Sequence, residues 1–304
     1  MIVAVTGATG YVGQFVVRDL LEAGHRVRVL ARGAVPPWLG PVEAVAGGLG
    51  DAGAARALVE GADGLVHAAF SHEPGRYRGG EGDDLGGFLA VNLMGSLDLL
   101  RAAREAGVKS AVVLSSRAVY GRLAREGDVL AENAPLRPDT HYGALKLALE
   151  GFVSAWGAEG WRVTALRPTG VYGIVEPFDR TKWLDLARAV LEGRASSEAR
   201  AGTEVHGAEV ASAVRLLLAG GAPGRAYNCG DLALAAGEVA RRLGAAAGVE
   251  GRLPLAGMAP KGVMHCDGLE ALGWRPGGAR RLDATLGAMV RRLRPALRSL
   301  ADGG

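Results

Sequence analysis

The sequence TGATGYVG, residues 6–13, decides how this chain folds. It lies between an apolar run over residues 2–6 and a segment whose apolar side chains recur at helical spacing. In such a strand–turn–helix unit the first glycine permits a tight turn, the second lets backbone approach a pyrophosphate, and the third lets the helix pack closely on the strand. The helix N-terminus then offers N–H groups and partial positive charge to phosphate. Gly7, Gly10 and Gly13, spaced G-x-x-G-x-x-G, therefore predict a dinucleotide site.

Outward from this loop, predicted strands alternate with predicted helices through the first half of the chain. Short apolar runs predict strands over residues 2–6, 27–31, 42–46, 64–69, 111–115 and 162–166. Helical periodicity predicts helices after the glycine loop and over residues 52–60, 88–106 and 142–157. Strands and helices that alternate in this way form right-handed βαβ crossovers, so we predict an α/β fold with a Rossmann-type doubly wound parallel sheet.

The pattern changes after Arg167. Helical stretches now alternate with short irregular pieces, over residues 183–192, 208–219, 236–247 and 283–294. We expect a dinucleotide-binding Rossmann domain over residues 1–170, to which 205–230 returns, and a smaller mixed substrate lobe over 171–204 and 231–304. Ligands bind at the carboxyl ends of the strands in such sheets, which places the expected site in the crevice between the two parts.

The composition excludes several other classes of protein. Hydrophobic residues make up 49% and charged residues 22% of the 304 residues, which is typical of a folded globular chain. The net charge of +3 comes from scattered basic residues without a Lys/Arg block, so we expect no nucleic-acid partner. No run reaches about 18 apolar residues and no basic segment precedes Ile2, so we expect a soluble protein without a leader or a membrane partner. Cys229 and Cys266 suit a reducing, cytoplasmic compartment and lack metal-site spacing.

The end of the second predicted strand indicates which dinucleotide binds. An acidic residue at this position binds the adenosine ribose of NAD, whereas an Arg accommodates the 2′-phosphate of NADP. Here the strand ends in Ala31-Arg32-Gly33 without an acid, so Arg32 favours NADP over NAD. The alternative, that Arg32 is a solvated surface residue of an Arg-rich chain, stays open.

Tyr142 and Lys146 stand four residues apart on a predicted helix and so share one face. A free phenol has a pKa of about 10, but a neighbouring ammonium favours the phenolate and eases proton exchange at neutral pH. Such a group can protonate a carbonyl oxygen, or deprotonate a hydroxyl, while a hydride moves to or from a nicotinamide. The fifth strand ends in Ser115 and Ser116, at a position where a hydroxyl can bond the substrate oxygen. The alternatives are a half-buried Tyr on an exposed helix, and serines that cap a turn.

Further short motifs occur in order up to residue 276. They are VHAA (66–69), VNLMGS (91–96), SSRAVYG (115–121), YGALK (142–146), LRPTGVYG (166–173), YNCG (227–230) and LGWRP (272–276). Together with the glycine loop they resemble the extended short-chain dehydrogenase/reductase family, the NAD(P)-dependent sugar epimerase/dehydratase group. The resemblance implies a nicotinamide-dependent Rossmann enzyme with a small-molecule substrate, and a homodimer formed through the helices over 92–106 and 142–157.

The resemblance also implies roles for individual residues. Ser116, Tyr142 and Lys146 match the family's catalytic side chains, with Tyr142 as the acid–base and Lys146 also bound to the nicotinamide ribose. The full set predicted to contact the cofactor, from the residues and the resemblance together, is Gly7, Gly10, Tyr11, Val12, Gly13, Arg32, Leu49, Ala68, Ala69, Asn92, Ser115, Tyr142, Lys146, Pro168 and Thr169.

Departures from the family pattern bear on the substrate. Arg117 and Ala118 replace the Asp-Glu of the 4,6-dehydratases, so that elimination chemistry loses its acid and base. Gly48 stands where the family usually has an acid that meets the adenine amino group. Gly202 stands where many sugar-nucleotide enzymes have an Arg, although Arg200 lies close in sequence. A nucleoside diphosphate sugar is therefore left open as the substrate.

These observations predict an NAD(P)-dependent oxidoreductase or epimerase that acts by hydride transfer on a secondary alcohol or ketone of a sugar or nucleotide sugar. An NADPH-dependent reductase of a non-sugar carbonyl is the alternative among enzymes, and a non-catalytic dinucleotide sensor is the alternative outside them. The Gly-rich loop over 71–87 is interpreted as a substrate lid or a surface loop, and His67 as a core residue rather than a catalyst.

Overall fold

The apolar run that opens the chain forms the middle of a large parallel sheet in the computed structural model of the protein. The structure describes residues 1–73, 76, 79–122, 128–194, 202–234, 237–249 and 262–301, with side chains to residue 294. The strands are β1 (Ile2–Thr6), β2 (Arg26–Ala31), β3 (Glu43–Ala46), β4 (Gly64–His67), β5 (Ser110–Leu114), β6 (Val129–Leu130), β7 (Arg162–Pro168), β8 (Gly170–Tyr172), β9 (Gly202–His206), β10 (Ala226–Cys229), β11 (Leu232–Leu234) and β12 (Val263–Met264).

The large sheet has seven strands in the order β10–β7–β5–β4–β1–β2–β3, and every neighbouring pair is parallel. The chain runs outward from β1 through β2 to β3, and then returns to the other side of β1 with β4. This reversal makes the boundary between β1 and β4 the switch point at which open α/β sheets bind ligands. The predicted doubly wound parallel sheet is confirmed.

Helices cover both faces of this sheet. They are α1 (Tyr11–Glu22), α2 (Ala52–Val59), α3 (Leu85–Leu89), α4 (Gly95–Glu105), α5 (His141–Ala158), α6 (Leu184–Leu191), α7 (Gly207–Gly220), α8 (Glu238–Ala247), α9 (Asp267–Ala271) and α10 (Gly278–Ala301). Side chains alternate across a strand, so Val3 and Val5 pack with α1 and α7, whereas Ala4 packs with α2, α4 and α5. The sheet is therefore buried on both faces, as its apolar strands require.

The later part of the chain adds two small sheets and a further core. The three-stranded sheet has the order β11–β9–β8, with β8 parallel and β11 antiparallel to β9. Apolar residues of α6, α8 and α10 pack with Tyr172 of β8 in a core of their own. The two-stranded sheet pairs β12 with β6, and β10 joins the edge of the large sheet beside β7.

The helix predicted over 88–106 differs most from the prediction. It begins at Leu85, because the Asp84 carboxylate caps α3 by accepting a hydrogen bond from Gly87 N at 2.8 Å. A π-helical segment, Ala90–Met94, then joins α3 to α4. A wider turn of this kind turns a side chain out of the regular helical register, and functional sites often contain one.

The segment Leu85–Glu105 is also long and apolar enough to cross a membrane by length and composition. It is the only such helix among the residues that the structure describes. Leu99, Leu100 and Ala103 on α4 are nevertheless buried against the sheet. A core helix of a globular protein can have the same length and hydropathy, and α4 has one face buried in the core.

Candidate active site

The glycine loop packs against the end of β4 at the switch point. Gly7 has a φ of +72°, and a Cβ atom there would lie 2.6 Å from the carbonyl carbon of Ala68. Gly10 N donates to Gly7 O at 2.9 Å, and a Cβ on Gly13 would lie 2.0 Å from the same oxygen. The three glycines thus let the loop, α1 and the β4 end approach each other more closely than any side chain would permit.

The first turn of α1 suits an anionic ligand. No side chain caps its N-terminus at Gly10, and no acidic residue stands in its first turn. A helix end with this composition presents N–H groups and partial positive charge to phosphate. The cradle between this turn and Ala68 and Ala69 therefore fits the pyrophosphate of a dinucleotide.

Tyr11 and Gln14 of α1 also hold the segment that follows β8. The Tyr11 hydroxyl donates to Gly173 O at 2.8 Å and accepts from Lys182 N at 3.1 Å. The Gln14 side chain donates to Glu176 O at 2.6 Å and accepts from Glu176 N at 2.8 Å. The glycine-loop helix is thereby tied to the later part of the chain. The sequence predicts only a cofactor contact for Tyr11 and gives no signal for Gln14, whose partner Glu176 lies far away in the chain.

Arg32 lies where the cofactor's adenosine end was predicted to bind. Its side chain is exposed just beyond β2, and its stem passes Gly48, where a Cβ would lie 3.5 Å from Arg32 Cγ. Leu49 is half-buried, and a Cβ on Gly95 at the start of α4 would lie 3.2 Å from Leu49 Cγ. The Arg32 stem therefore runs beside Gly48 at a distance that corresponds to ordinary van der Waals contact.

A buried chain of hydrogen bonds joins the ends of β1 and β4, next to the glycine loop, to the start of α4. Ala69 N donates to Thr6 Oγ1 at 3.2 Å, Thr6 Oγ1 lies 2.7 Å from His67 Nδ1, and His67 Nε2 lies 2.8 Å from Ser96 Oγ. Ser96 donates its proton to the Asn92 carbonyl, which can only accept, so His67 Nε2 must donate to Ser96 and His67 Nδ1 must accept from Thr6. Burial, and then the charge of Lys146, lowers the pKa of His67 to about 3, so the ring is neutral in this role.

Asn92 belongs to the π-helical segment and fixes the start of the predicted lid. Its side-chain amide accepts from Ser71 N and donates to Ser71 O, both at 2.7 Å. It also donates to Phe88 O at 3.0 Å. The predicted cofactor-side residue therefore anchors the backbone that follows Phe70.

Tyr142 and Lys146 lie on one face of α5, as their spacing predicts. Lys146 Nζ is buried and donates to Leu114 O, at the carboxyl end of β5, at 2.6 Å. The same nitrogen lies 5.8 Å from the centroid of the Tyr142 ring and 5.0 Å from that of Phe70. The Phe70 ring meets the half-buried Tyr142 ring edge to face at 4.9 Å. Sequence reasoning missed Phe70, which fixes the position of both groups.

Ser116 caps the short helical turn Arg117–Tyr120 by accepting from Ala118 N at 3.1 Å. This turn packs closely on α5, since a Cβ on Gly143 would lie 2.5 Å from Ala118 O. Ser116 and the first turn of α5 are thus brought together at the end of β5, beside Tyr142. The neighbouring Ser115 instead turns into the protein, where its hydroxyl donates to Glu150.

Glu150 is a buried charged residue that sequence reasoning missed. Arg167 Nε donates to Glu150 Oε1 at 2.9 Å, and Arg167 Nη2 donates to Oε2 at 2.7 Å, while Ser115 donates to Oε1 as well. Burial lowers the pKa of Lys146 to about 8, and the charge of Glu150 opposes this effect. The signal was present in the sequence, because Glu150 follows Tyr142 and Lys146 at the same four-residue spacing.

The end of β7 contributes Pro168 and Thr169. Both are buried, and Thr169 N donates to Cys229 O at 3.1 Å. Within the described parts of the chain Thr169 Oγ1 has no hydrogen-bond partner. A buried hydroxyl without a partner is costly unless a ligand or water satisfies it, so this group fits a polar part of a bound cofactor or substrate.

A cavity of about 490 Å³ opens beside the first turn of α5. It is lined by Gly79, Glu81, Pro138, Asp139, Thr140, His141 and Ala144. Glu81 Oε1 lies 2.6 Å from His141 Nδ1, so the loop predicted as a lid contacts the helix that carries Tyr142. Arg200 lies outside the described residues, and no cluster of three His, Cys, Asp or Glu suited to a metal occurs within them.

Comparisons with known proteins show the family to which the chain belongs. A model described as the NAD dependent epimerase/dehydratase family matches residues 3–230. A 3 beta-hydroxysteroid dehydrogenase/Delta 5-->4-isomerase of Mycobacterium tuberculosis is 33% identical over 245 residues, which cover 75% of this chain and 64% of that protein. A UDP-glucose 4-epimerase of Streptomyces lividans is 34% identical over 170 residues, which cover 51% of this chain and 47% of that protein. The chain thus spans less than two thirds of the length of either relative.

Among solved structures, a UDP-glucose 4-epimerase of Thermus thermophilus in complex with NAD superposes with a TM-score of 0.78 at 28% identity. The match covers 97% of this chain and 99% of that chain. The similarity therefore includes the later lobe as well as the large sheet.

Proposed function

The chain belongs to the NAD-dependent epimerase/dehydratase family, and on that premise we propose that it transfers a hydride between a nicotinamide dinucleotide and a secondary alcohol or ketone, with Tyr142 as the acid–base. One observation carries the proposal. Tyr142, Lys146 and Ser116 converge at the carboxyl end of β5, next but one to β1, whose glycine loop is shaped for phosphate.

Tyr142, Ser116 and Lys146 each have a separate role in the proposed reaction. The chemistry that a bound nicotinamide dinucleotide supplies is the gain or loss of a hydride. During reduction the Tyr142 hydroxyl gives its proton to the substrate oxygen, and during oxidation the Tyr142 oxygen takes a proton from the hydroxyl. The Ser116 hydroxyl donates a hydrogen bond to the same oxygen as charge develops there. The Lys146 ammonium stabilises the phenolate that Tyr142 forms.

The geometry around Lys146 supports this role. Phe70 and the sheet exclude water from Nζ, and Leu114 O accepts one of its protons. A charge in such surroundings acts on its neighbours more strongly than it would in water. The neutral His67 behind the glycine loop adds no competing positive charge.

The cofactor is held at one end by the first turn of α1 and at the other by Lys146 and the end of β7. We propose NADP as the preferred form, because Arg32 is exposed at the adenosine end and the preceding strand β2 contains no acid. The names of the relatives, a hydroxysteroid dehydrogenase and a sugar-nucleotide epimerase, support a hydroxyl-bearing substrate and leave its class open.

Replacement of Tyr142 by Phe tests the acid–base role. Tyr142→Phe keeps the ring that contacts Phe70 but removes the proton, so we expect kcat to fall by about 10²–10⁴-fold. The affinity for NADPH, measured by quenching of nucleotide fluorescence, should change by less than about threefold, since this factor corresponds to well under 1 kcal/mol. Unchanged turnover would contradict the proposal and favour a non-catalytic dinucleotide sensor.

Lys146→Met is the companion variant, and Lys109→Met is its matched control. Lys109 is an exposed lysine just before β5, at the opposite end from Leu114, and pairs loosely with Asp63 at 3.8 Å. We expect Lys146→Met to lower turnover and NADPH affinity together, because Lys146 serves both Tyr142 and the cofactor. Equal effects of the two substitutions would mean that the loss reflects stability alone.

A further inference from the structure

Close to Thr169, the wall of the site contains the Glu204 carboxylate, which occupies the space that a side chain at Gly170 would fill. Gly170 of β8 pairs in register with Glu204 of β9. A Cβ on Gly170 would lie 2.5 Å from Glu204 Oε2 and 2.7 Å from Oε1. Gly170 directly follows Pro168 and Thr169, so the Glu204 carboxylate lies close to the carboxyl end of β7, the edge of the sheet at which ligands bind in this kind of fold.

This carboxylate is paired with Lys182. The ammonium of Lys182 donates to Glu204 Oε2, and the two side chains are 30% and 13% exposed, respectively. Burial raises the pKa of Glu204, and Lys182 opposes this effect. The backbone N–H of Lys182 donates to the Tyr11 hydroxyl, so the pair is held directly above the helix of the glycine loop.

Among the residues described, two of the basic groups at this wall, Lys182 and Arg281, are paired with acids. Tyr172 lies two residues after Gly170. Burial, and then the negative charges of Asp231, Glu209 and Glu204, raise the pKa of its hydroxyl, while the positive charge of Arg281 opposes this effect. Arg281 Nε is itself paired with Glu209 Oε1 at 3.1 Å.

A second basic side chain nearby, Arg180, donates to Thr9 O at 3.3 Å. In the parts of the chain that the structure describes, Lys182, Arg180 and Arg281 thus each have an acid or a carbonyl as a partner. Three acids, Asp231, Glu209 and Glu204, stand beside three bases, Lys182, Arg281 and Arg180, so these charges balance and give the wall no net positive charge.

We propose that the Lys182–Glu204 pair is a specificity determinant that selects uncharged secondary alcohols or ketones against nucleoside diphosphate sugars. A diphosphate requires unpaired cationic donors, and the Lys182 ammonium at this wall is already bound to Glu204. A diphosphate placed there would also meet the like charge of the carboxylate. An uncharged hydroxyl or carbonyl oxygen, in contrast, can accept from Lys182, and a hydroxyl can also donate to Glu204, without disrupting the pair. The inference rests on the proposed hydride transfer at Tyr142 and adds the substrate class.

The experiment compares selectivity in wild type and in variants of the pair. A panel of uncharged alcohols that includes a hydroxysteroid is tested together with UDP-glucose, each at saturating NADP. The selectivity ratio is kcat/KM for the best uncharged alcohol divided by kcat/KM for UDP-glucose. We expect wild type to favour the uncharged alcohol by at least about 100-fold, equivalent to about 2.7 kcal/mol. Glu204→Gln frees Lys182 and should lower the ratio at least about tenfold, with tighter binding of UDP-glucose in calorimetry.

Two further variants guard against a merely structural effect. Glu204→Asp keeps the charge and should keep most of the selectivity, whereas Asp185→Asn, which removes an exposed charge of α6, should leave the ratio unchanged. Thermal unfolding and NADPH affinity show whether each variant is folded.

The outcomes for the pair and for the proposed function are separable. If Tyr142→Phe lowers turnover but UDP-glucose is the preferred substrate, or if Glu204→Gln and Asp185→Asn give the same ratio, the inference is wrong while the hydride transfer stands. If Tyr142→Phe leaves turnover unchanged, the proposed function itself is wrong.

Discussion

Arg32 is the residue on which the cofactor preference depends. Its guanidinium is exposed at the carboxyl end of β2, and its stem passes Gly48 without obstruction. We expect Arg32→Ala to weaken NADPH binding by about 1.5–3 kcal/mol, or roughly 10- to 100-fold, because a charge-assisted contact to the 2′-phosphate is lost. Binding of NADH, which lacks that phosphate, should change little.

Arg26→Ala is the matched control for this variant. Arg26 is an exposed arginine on the same strand, at its opposite end, where its charge lies loosely beside Glu43 at 3.9 Å. Titration of both nucleotides into both variants gives four dissociation constants. If Arg32→Ala weakens NADH and NADPH alike, Arg32 is a surface residue and the preference for NADP is wrong.

Glu150 has a different task, which is to keep Lys146 charged in a buried site. Burial lowers the pKa of Lys146 to about 8 and Glu150 raises it, so loss of the Glu150 charge must lower this pKa further. Lys146 carries its charge only below its pKa. We therefore expect kcat/KM in wild type to fall as pH rises through about 8, and in Glu150→Gln to fall at a lower pH.

The control for Glu150→Gln must separate charge from packing. The single variant leaves Arg167 as an unpaired buried charge, which costs about 3–5 kcal/mol. The double variant Glu150→Gln/Arg167→Gln removes both charges and avoids that cost. In the double variant kcat/KM should still fall at a lower pH than in wild type, because Glu150 is the charge that raises the pKa of Lys146. A fall that stays near pH 8 in both variants would show that Glu150 is only structural.

At the scale of elements, the sequence predicts best those strands and helices that are long and buried in a regular pattern. The run over 2–6 forms a strand with the predicted bounds, and α5 extends the predicted 142–157 by one residue at each end. The strands missed are β9 and β10, with five and four residues, and several shorter ones such as β8 and β12, with three and two residues. Their apolar pattern is too brief to recognise, and only pairing with a distant partner makes them strands.

The same distinction applies to the candidate site. Tyr142, Lys146 and the glycine loop were found because local spacing carries their signal. Phe70 and Gln14 were missed because their roles depend on contacts with α5 and with Glu176, which spacing does not reveal. The π-helical segment was missed too, since it leaves the apolar pattern of a helix almost intact while it turns Asn92 towards Ser71.

At the scale of the whole molecule, two sets of contacts join the parts of the chain around the site. Tyr11 and Gln14 tie α1 to the segment after β8, and Arg167 on β7 reaches both Glu150 of α5 and the Tyr120 hydroxyl. A shift of the segment that carries Lys182 would therefore be transmitted through Tyr11 and Gln14 to the helix of the glycine loop. This arrangement suits an enzyme in which substrate binding and cofactor binding influence each other.

The outer face of α3, the π-helical segment and α5 leaves apolar side chains exposed. Met94 is 54%, Phe152 43% and Leu89 36% exposed, and α5 packs beside Ala90–Met94. The same helical segment, Leu85–Glu105, is the one with the hydropathy of a membrane span, so its outward face needs an explanation. A second copy of the chain would cover these side chains, and a homodimer of this kind is what the family resemblance implies.

Phe152→Glu tests this dimer at its most sensitive point. Burial of a carboxylate in an apolar interface is strongly unfavourable, so the variant should sediment as a monomer at concentrations at which wild type sediments as a dimer. Trp38→Glu is the matched control, because Trp38 is a similarly exposed aromatic residue at 37% that lies away from α5, in the turn after β2. A monomeric wild type, or equal loss of dimer in both variants, would mean that α5 is not a dimer interface.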